Sequence, residues 1–322
     1  MGKNDNEKEK KYSQKDLEDF IGGISTKKKE ELKKNVKKET PAEVGSRTAS
    51  GGFRNERYFR DLLNNSLDSE EARDLLNQLN INYHKIKILE VKKLGGIYKP
   101  DNQIFIKFND GTSQTINISN KKQDDFGFNQ LDRRTVDKYS EIFSLSSLTK
   151  NTLKKYCGVR GFSPLDLLNS GELPKEQYLR LIDIPEKKTH TEEASKGGRF
   201  YLNELSNEEK ESVISEFESK KEQIMLFVLN GDDVNYPVDY VVVTKISKKK
   251  QKYDHLVFTL EEIFRKACER DFYLSNVTRK YGSNLRIGAI TVQKKGGTGG
   301  STNLQFKWTN LYPKKREMRY TL

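Results

Sequence analysis

Cysteine is scarce in this chain: 322 residues hold only Cys157 and Cys268, with no Cys-x-x-Cys spacing. That excludes a disulfide scaffold and a thiolate zinc site, and it fits a reducing compartment. Histidine is almost as rare. His84, His190 and His255 have no His-x-x-His or triad-like neighbour, so each is expected to be structural. No apolar run reaches the length of a membrane span, and no signal-peptide core follows the N-terminus. A cytoplasmic chain with no membrane partner is the expectation. Two phosphate-binding signatures are missing as well. The glycine-rich stretch within 285–307 has no G-K-[ST] and no G-x-G-x-x-G opening a helix, so it is neither a Walker nor a Rossmann loop.

Charge is what the chain has in quantity. Lysine and arginine number 59 against 47 acids, a net charge of +12. Such a surplus favours a polyanion partner, DNA or RNA, against the plainer reading of a solvated lysine-rich surface. The surplus does not come from the N-terminus: residues 1–43 hold twelve lysines against ten acids. Nothing there requires a core, so that stretch reads as a polar arm, mobile or loosely docked. From residue 44 the text turns globular, and 44–312 reads as a single domain with a basic tail at 313–322.

The most informative stretch is 99–122, KPDNQIFIKFNDGTSQTINISNKK. Asn109-Asp110-Gly111 is a turn signal between two β-rich runs, which predicts a hairpin. Centring the turn on Asp110 makes partner numbers sum to 220, so Asp101 falls opposite Ser119. Ile104, Ile106, Phe108, Ile116 and Ile118 then share a core face. Asp101, Gln103, Lys107, Thr115, Asn117, Ser119 and Lys121 share a polar face that should be wet. An acid and an amine therefore meet at a strand end. A carboxylate there can hold a hard divalent cation, and the amine can steady charge on a phosphate. The plain alternative is an ordinary surface hairpin.

Other stretches surround this one. Residues 44–52 (VGSRTASGG) read as a loop leading into an amphipathic helix, with Phe53, Tyr58, Phe59, Leu62 and Leu63 on one face. Glu56 near its start is either a further acid toward the metal or a partner for the helix dipole. A second helix is expected over 70–80 and a strand over 83–94. Residues 126–130 (FGFNQ) read as an exposed loop before a helix at 131–143. Its aromatics either wedge into a duplex or tuck into the core, and Asn129 and Gln130 either read bases or cap the helix. Residues 223–230 (QIMLFVLN) and 238–246 read as two apolar strands extending the sheet. Near the end, 285–307 predicts a strand, Lys294-Lys295, a glycine-rich loop and a short strand. Gln293 and Gln305 supply amides there, and the lysines supply phosphate contacts.

These stretches together resemble the HinP-type Type II restriction endonucleases, which cut GCGC, and more distantly MspI-type enzymes. The resemblance is carried by VGSRTASGGFRNE, by KPD with its spaced lysine, by GFNQLD, by ELSNEEK and by ITVQKKGGTGG…NLQFK. It implies an α/β (α+β) fold with the PD-(D/E)XK restriction-endonuclease core, a mixed central β-sheet flanked by helices. It implies Mg²⁺ held by Asp101, with Glu56 and the backbone carbonyl of Asn120. Lys121 matches the catalytic lysine. Ser119 takes the place of the usual acid, a departure shared in kind by relatives with Gln or Asn. Phe128 matches an aromatic that wedges into DNA, followed by Asn129 and Gln130. Gln293, Lys294 and Lys295 match a recognition loop, with Gln305 behind it. The implied partner is double-stranded DNA, with a cognate methyltransferase protecting host sites without a stable complex. A monomer or a homodimer would serve. Residues 1–43, most of 174–198 and the tail have no counterpart in the family.

Overall fold

The computed structural model describes residues 41–96, 98–123, 128–182, 199–247, 252–275, 283–294 and 303–309. The extension at 1–40, Phe126-Gly127, His190, Lys295 with the glycine-rich loop, and the basic tail lie outside the described residues. The chain divides into two units, Met1–Thr48 and Ala49–Leu322, and both sheets belong to the second.

Two helices come first, α1 (Pro41–Asn65) and α2 (Glu70–Gln78), then β1 (Ile86–Lys93). The predicted hairpin follows as β2 (Asn102–Phe108) and β3 (Ser113–Gln123). β4 (Phe128–Thr135) leads into α3 (Val136–Phe143), α4 (Ser147–Cys157), α5 (Pro164–Asn169) and α6 (Lys175–Ile182). After α7 (Asn207–Ser219) and α8 (Lys221–Asn230) come β5 (Tyr240–Ser247) and β6 (Lys252–Thr259). α9 (Leu260–Cys268), β7 (Phe272–Leu274), β8 (Leu285–Ile287), β9 (Ile290–Lys294) and β10 (Asn303–Thr309) complete the order. Among the described residues no helix is long and apolar enough to cross a membrane.

The fold is mixed α/β, with a mixed central sheet flanked by helices. That sheet has the order β1-β2-β3-β5-β6. Every pairing in it is antiparallel except β3 with β5, which run parallel. A parallel pair needs a long crossover, and β4 with α3 to α8 supplies it. A second sheet, β4-β10-β9-β8-β7, is antiparallel throughout. The sequence pointed to one sheet because β4 and β10 are brought together only by long-range pairing.

The hairpin register is the one expected: Asn102 pairs with Ile118, Ile104 with Ile116 and Lys107 with Ser113. Ile104, Ile106, Ile116 and Ile118 pack with Val242 against Phe59, Leu62 and Leu63 of α1 and Leu75 and Leu76 of α2. Ser69 fixes the start of α2 by accepting a hydrogen bond from the Ala72 amide. The opposite face of the sheet is not wet along its length. Val241 and Val243 belong to a second core with α3, α4, α7, α8, α9 and the second sheet. Parallel pairing with β5 makes β3 a central strand covered on both sides, so Asn117 and Ser119 are buried.

Three other expectations are corrected. Residues 223–230 form α8, not a strand. Ile224, Met225, Val228 and Leu229 are buried around much of its circumference, and a short apolar run has no period to separate helix from strand. Residues 44–52 are helical within α1. Gly51 and Gly52 lower helix propensity by roughly 1 kcal/mol each, yet packing prevails: a Cβ on Gly51 would lie 3.1 Å from Lys122 Nζ. Residues 128–135 form β4, so the helix begins at Val136, capped by Thr135, rather than at 131.

Candidate active site

The site is built at the end of β3, where the strand passes between its antiparallel partner β2 and its parallel partner β5. Asp101 lies just before β2. Its amide donates to the Ile118 carbonyl at 2.8 Å, and its carbonyl accepts from the Leu94 amide at 3.1 Å. The side chain is therefore held by backbone on two sides. Its Oδ2 accepts from the Asn120 amide at 2.7 Å and the Ser119 hydroxyl at 3.5 Å, and faces Lys121 Nζ at 3.7 Å. The hairpin arithmetic thus brings Asp101, Ser119 and Lys121 together. Ser119 is 1 % exposed and acts as a support for Asp101.

Glu56 joins them electrostatically. Burial, then the charge on Asp101, pushes its carboxyl above the usual range, while Lys93, Lys121 and Arg60 pull it back. The helix that carries it is tied to the hairpin by Asn102, which is fully buried. Arg60 Nη1 donates to Asn102 Oδ1 at 2.8 Å, and Asn102 Nδ2 donates to Asn120 Oδ1 at 2.6 Å and to the Glu56 carbonyl at 3.5 Å. Two buried atoms beside these groups, Asn55 Oδ1 and Asn120 Nδ2, lack a hydrogen-bond partner.

A divalent cation is implied by this chemistry, and the donors fit one. Among the described residues every hydrogen bond to the Asp101 carboxylate falls on Oδ2, leaving Oδ1 for a ligand. A second carboxyl, that of Glu56, is raised by burial and then by Asp101's charge, and a bound cation would offset that repulsion. No cluster of three His, Cys, Asp or Glu side chains occurs among the described residues. Magnesium commonly binds one or two carboxylates and keeps several waters, so a two-acid site suits it better than zinc.

Sequence reasoning missed three contributors, Arg60, Asn102 and Lys99. Arg60 and Asn102 carry no motif, and only the fold makes them neighbours. Lys99 Nζ donates to the Leu131 carbonyl at 2.6 Å and faces Asp132 Oδ1 at 3.6 Å. Burial lowers its pKa to about 8, against the pull of Asp132.

The residues expected to read DNA scatter over the second sheet. Gln130 is exposed on β4, next to the backbone of Phe128 and Asn129, whose side chains lie outside the described residues. Gln293 is half-buried on β9 and pairs across the ladder with Gln305 on β10. Gln305 is only 2 % exposed, and its amide donates to the Lys294 carbonyl at 3.4 Å, so it does not present itself for base readout. Lys294 is half-buried, and Lys295 lies outside the described residues.

The fold and the site together describe a mixed α/β protein with an acid–lysine pair at a central strand end. No protein-family model matches the chain, and no curated protein matches it. Among solved structures, the restriction endonuclease MspI in complex with its cognate DNA is similar to it at 12% identity. That match has a TM-score of 0.48 and covers 80% of this chain and 88% of the other.

Proposed function

We propose that the chain is a Type II restriction endonuclease that cuts both strands of a short palindromic DNA site, GCGC or a related CG-containing sequence. Cleavage depends on Mg²⁺ and leaves 5′-phosphate and 3′-hydroxyl ends. The observation that carries this reading is the contact of Asp101 with Lys121 at a strand end, with the Glu56 carboxyl on the neighbouring helix raised by burial and by Asp101's charge. Asp101, Glu56 and the Asn120 carbonyl would hold the cation. Bound there, it would supply Lewis acidity at the scissile phosphate. Lys121 orients the attacking water and steadies negative charge as it builds on the phosphate. Asn120 and Ser119 keep Asp101 aimed by donating to its inner oxygen. The net charge of +12 suits a DNA partner whose binding weakens as salt rises. A methyltransferase guarding host sites belongs to this reading, and the enzyme works as a monomer or a homodimer in the cytoplasm.

The test is digestion of a plasmid of known sequence with Mg²⁺, followed by mapping of the ends. Discrete bands with 5′-phosphates are expected, and Asp101→Asn should abolish them while retaining DNA affinity within a few fold. A smear, or cutting confined to branched DNA, would replace the restriction reading with a repair nuclease. Wild-type cleavage by Asp101→Asn would remove the site altogether. Ser119 in the position of the usual acid motivates a second reading, a DNA-binding protein without catalysis; nicking by the wild type excludes it.

A further inference from the structure

β4 carries one residue too many for its partner. Phe306 of β10 pairs with Asp132, but the next residue, Lys307, pairs with Gln130. Leu131 is the extra residue, a β-bulge. A bulge leaves a backbone group outside the ladder and re-aims the neighbouring side chains, and bulges gather beside active sites. The Leu131 carbonyl does not go unused. It accepts the ammonium of Lys99 at 2.6 Å, and Lys99 comes from the segment two residues before Asp101.

The rest of this contact is closed and polar. Lys99 and Asp132 side chains are 14% and 15% exposed and face each other at 3.6 Å. Asp132 Oδ2 accepts from Tyr139 at 2.7 Å and from Arg134 at 3.4 Å. Arg134 reaches Asp232 at 3.7 Å and lies over the Phe227 ring. On its other side, the Lys99 stem is packed by backbone: a Cβ on Gly231 would sit 2.9 Å from Lys99 Cβ, and that glycine has φ +82°. The stem thus has little room to move, and its head is committed to the bulge. A hydrophobic residue would fill the same space without a charge to bury. The lysine costs desolvation, and what it gains is a fixed connection between two sheets.

We propose that Lys99 is a positioning residue: it clamps the Leu131 bulge and so couples the strand that presents Gln130 to the carboxylate that acts on the phosphate. The proposal rests on the nuclease reading above. A base pair that fits Gln130 would leave β4 in place. One that does not fit would shift the bulge, and the shift would reach Asp101 through Lys99. Specificity then resides in the cleavage step as well as in binding.

Two measurements on Lys99→Met test this, beside wild type. The first needs no DNA: amide hydrogen exchange over 130–133. Loss of the clamp should speed exchange there at least tenfold, with exchange in the hairpin core unchanged. Unchanged exchange at 130–133 overturns the clamp, whatever the protein's activity. The second compares kcat/KM on the cognate duplex and on duplexes with one base pair altered. The cognate-to-altered ratio should fall at least tenfold, with most of the change in kcat on the altered sites. An equal fall on all duplexes would mean that Lys99 serves only structure or charge, and would overturn the coupling. If Lys99→Met does not fold, Asp132→Asn carries the same two measurements, since it loosens the link from the other strand. A wild type that cuts no defined site overturns the coupling through the nuclease reading, while the exchange result still decides the clamp.

Discussion

The two sheets of this molecule are the same size and differently made. The central one is mixed, and the end of its parallel pair is crowded with buried polar groups: Asn102, Asn117, Ser119, Asn120 and Gln123. The second is antiparallel throughout, and its described strands bury only Thr291 and Gln305 of this kind. Burying a polar group costs unless its hydrogen bonds are made. The second sheet largely avoids that cost with Leu285, Ile287, Ile290, Val292, Leu304 and Phe306. The central sheet accepts it and pairs most of the groups: Asn102 Nδ2 donates to Asn120 Oδ1, Gln103 Nε2 to Asn117 Oδ1, and Asn117 Nδ2 to the Pro237 carbonyl. Departure from the apolar pattern at one strand end is where the proposed chemistry would lie, since functional sites are where a chain breaks its local rules. Under the proposed reading the second sheet is the platform, and its contribution is the aim of β4.

This contrast is broken most directly at Lys121. Lys121→Ala should lower Mg²⁺-dependent cleavage by about 100-fold or more, the scale of removing one group that stabilises transition-state charge. DNA affinity at low salt should change only a few fold. Cleavage within tenfold of wild type would show that the chemistry is done elsewhere. The next largest effect separates the sheets by stability. Ile118→Ala in the central sheet should cost about 2–5 kcal/mol and Phe306→Ala in the second about 3–5 kcal/mol, read from denaturant midpoints. Both residues are fully buried. If the sheets unfold as one unit, each variant will lower the whole transition. If they are separate units, exchange will rise only in the sheet that was cut.

The same contrast sets what could be read from residues alone. The hairpin was legible because its turn, its alternation and its register all lie within twenty-odd neighbouring residues, and each pointed the same way. Asp101 opposite Ser119 followed from counting. The second sheet was not legible as a sheet, because β4 and β10 pair across more than a hundred and fifty intervening residues. A strand and a short strand were expected within 285–307, but the turn at Gly288 that splits the first into β8 and β9 was not, nor was the pairing of β10 with 128–135. α8 was misread since an apolar segment buried on most sides carries no periodic signal. Within the candidate site, the juxtaposition of Asp101, Ser119 and Lys121 followed from the hairpin count. Asn102, Arg60 and Lys99 were missed, since their roles consist in which backbone carbonyl or amide oxygen the fold brings to them. The bulge at Leu131 leaves no trace in composition at all.

Glu56 gives the smallest effect and the sharpest, because one substitution should move two observables in opposite directions. Its carboxyl is held above its usual range first by burial and then by Asp101. A carboxyl with a raised folded-state pKa favours the folded state while protonated. That contribution is fully present below the unfolded value near 4.5 and is lost as pH rises through the raised value. At neutral pH the Glu56 charge therefore costs the folded protein stability. Glu56→Gln should raise the metal-free Tm at pH 7. Solvent screening keeps the gain under about 1 kcal/mol, which is at most about 1.5–2 °C for a chain of 322 residues. The gain should vanish below pH 4.5, where the wild-type side chain is neutral in both states. With excess Mg²⁺ the order should reverse, since a cation that binds only the folded form stabilises it by an amount that grows with the logarithm of its concentration over Kd. The wild-type Tm should rise on adding Mg²⁺ and the variant's should rise less. Equal Mg²⁺-induced shifts in the two proteins would take Glu56 out of the metal site and leave it as a half-buried acid beside Asp101.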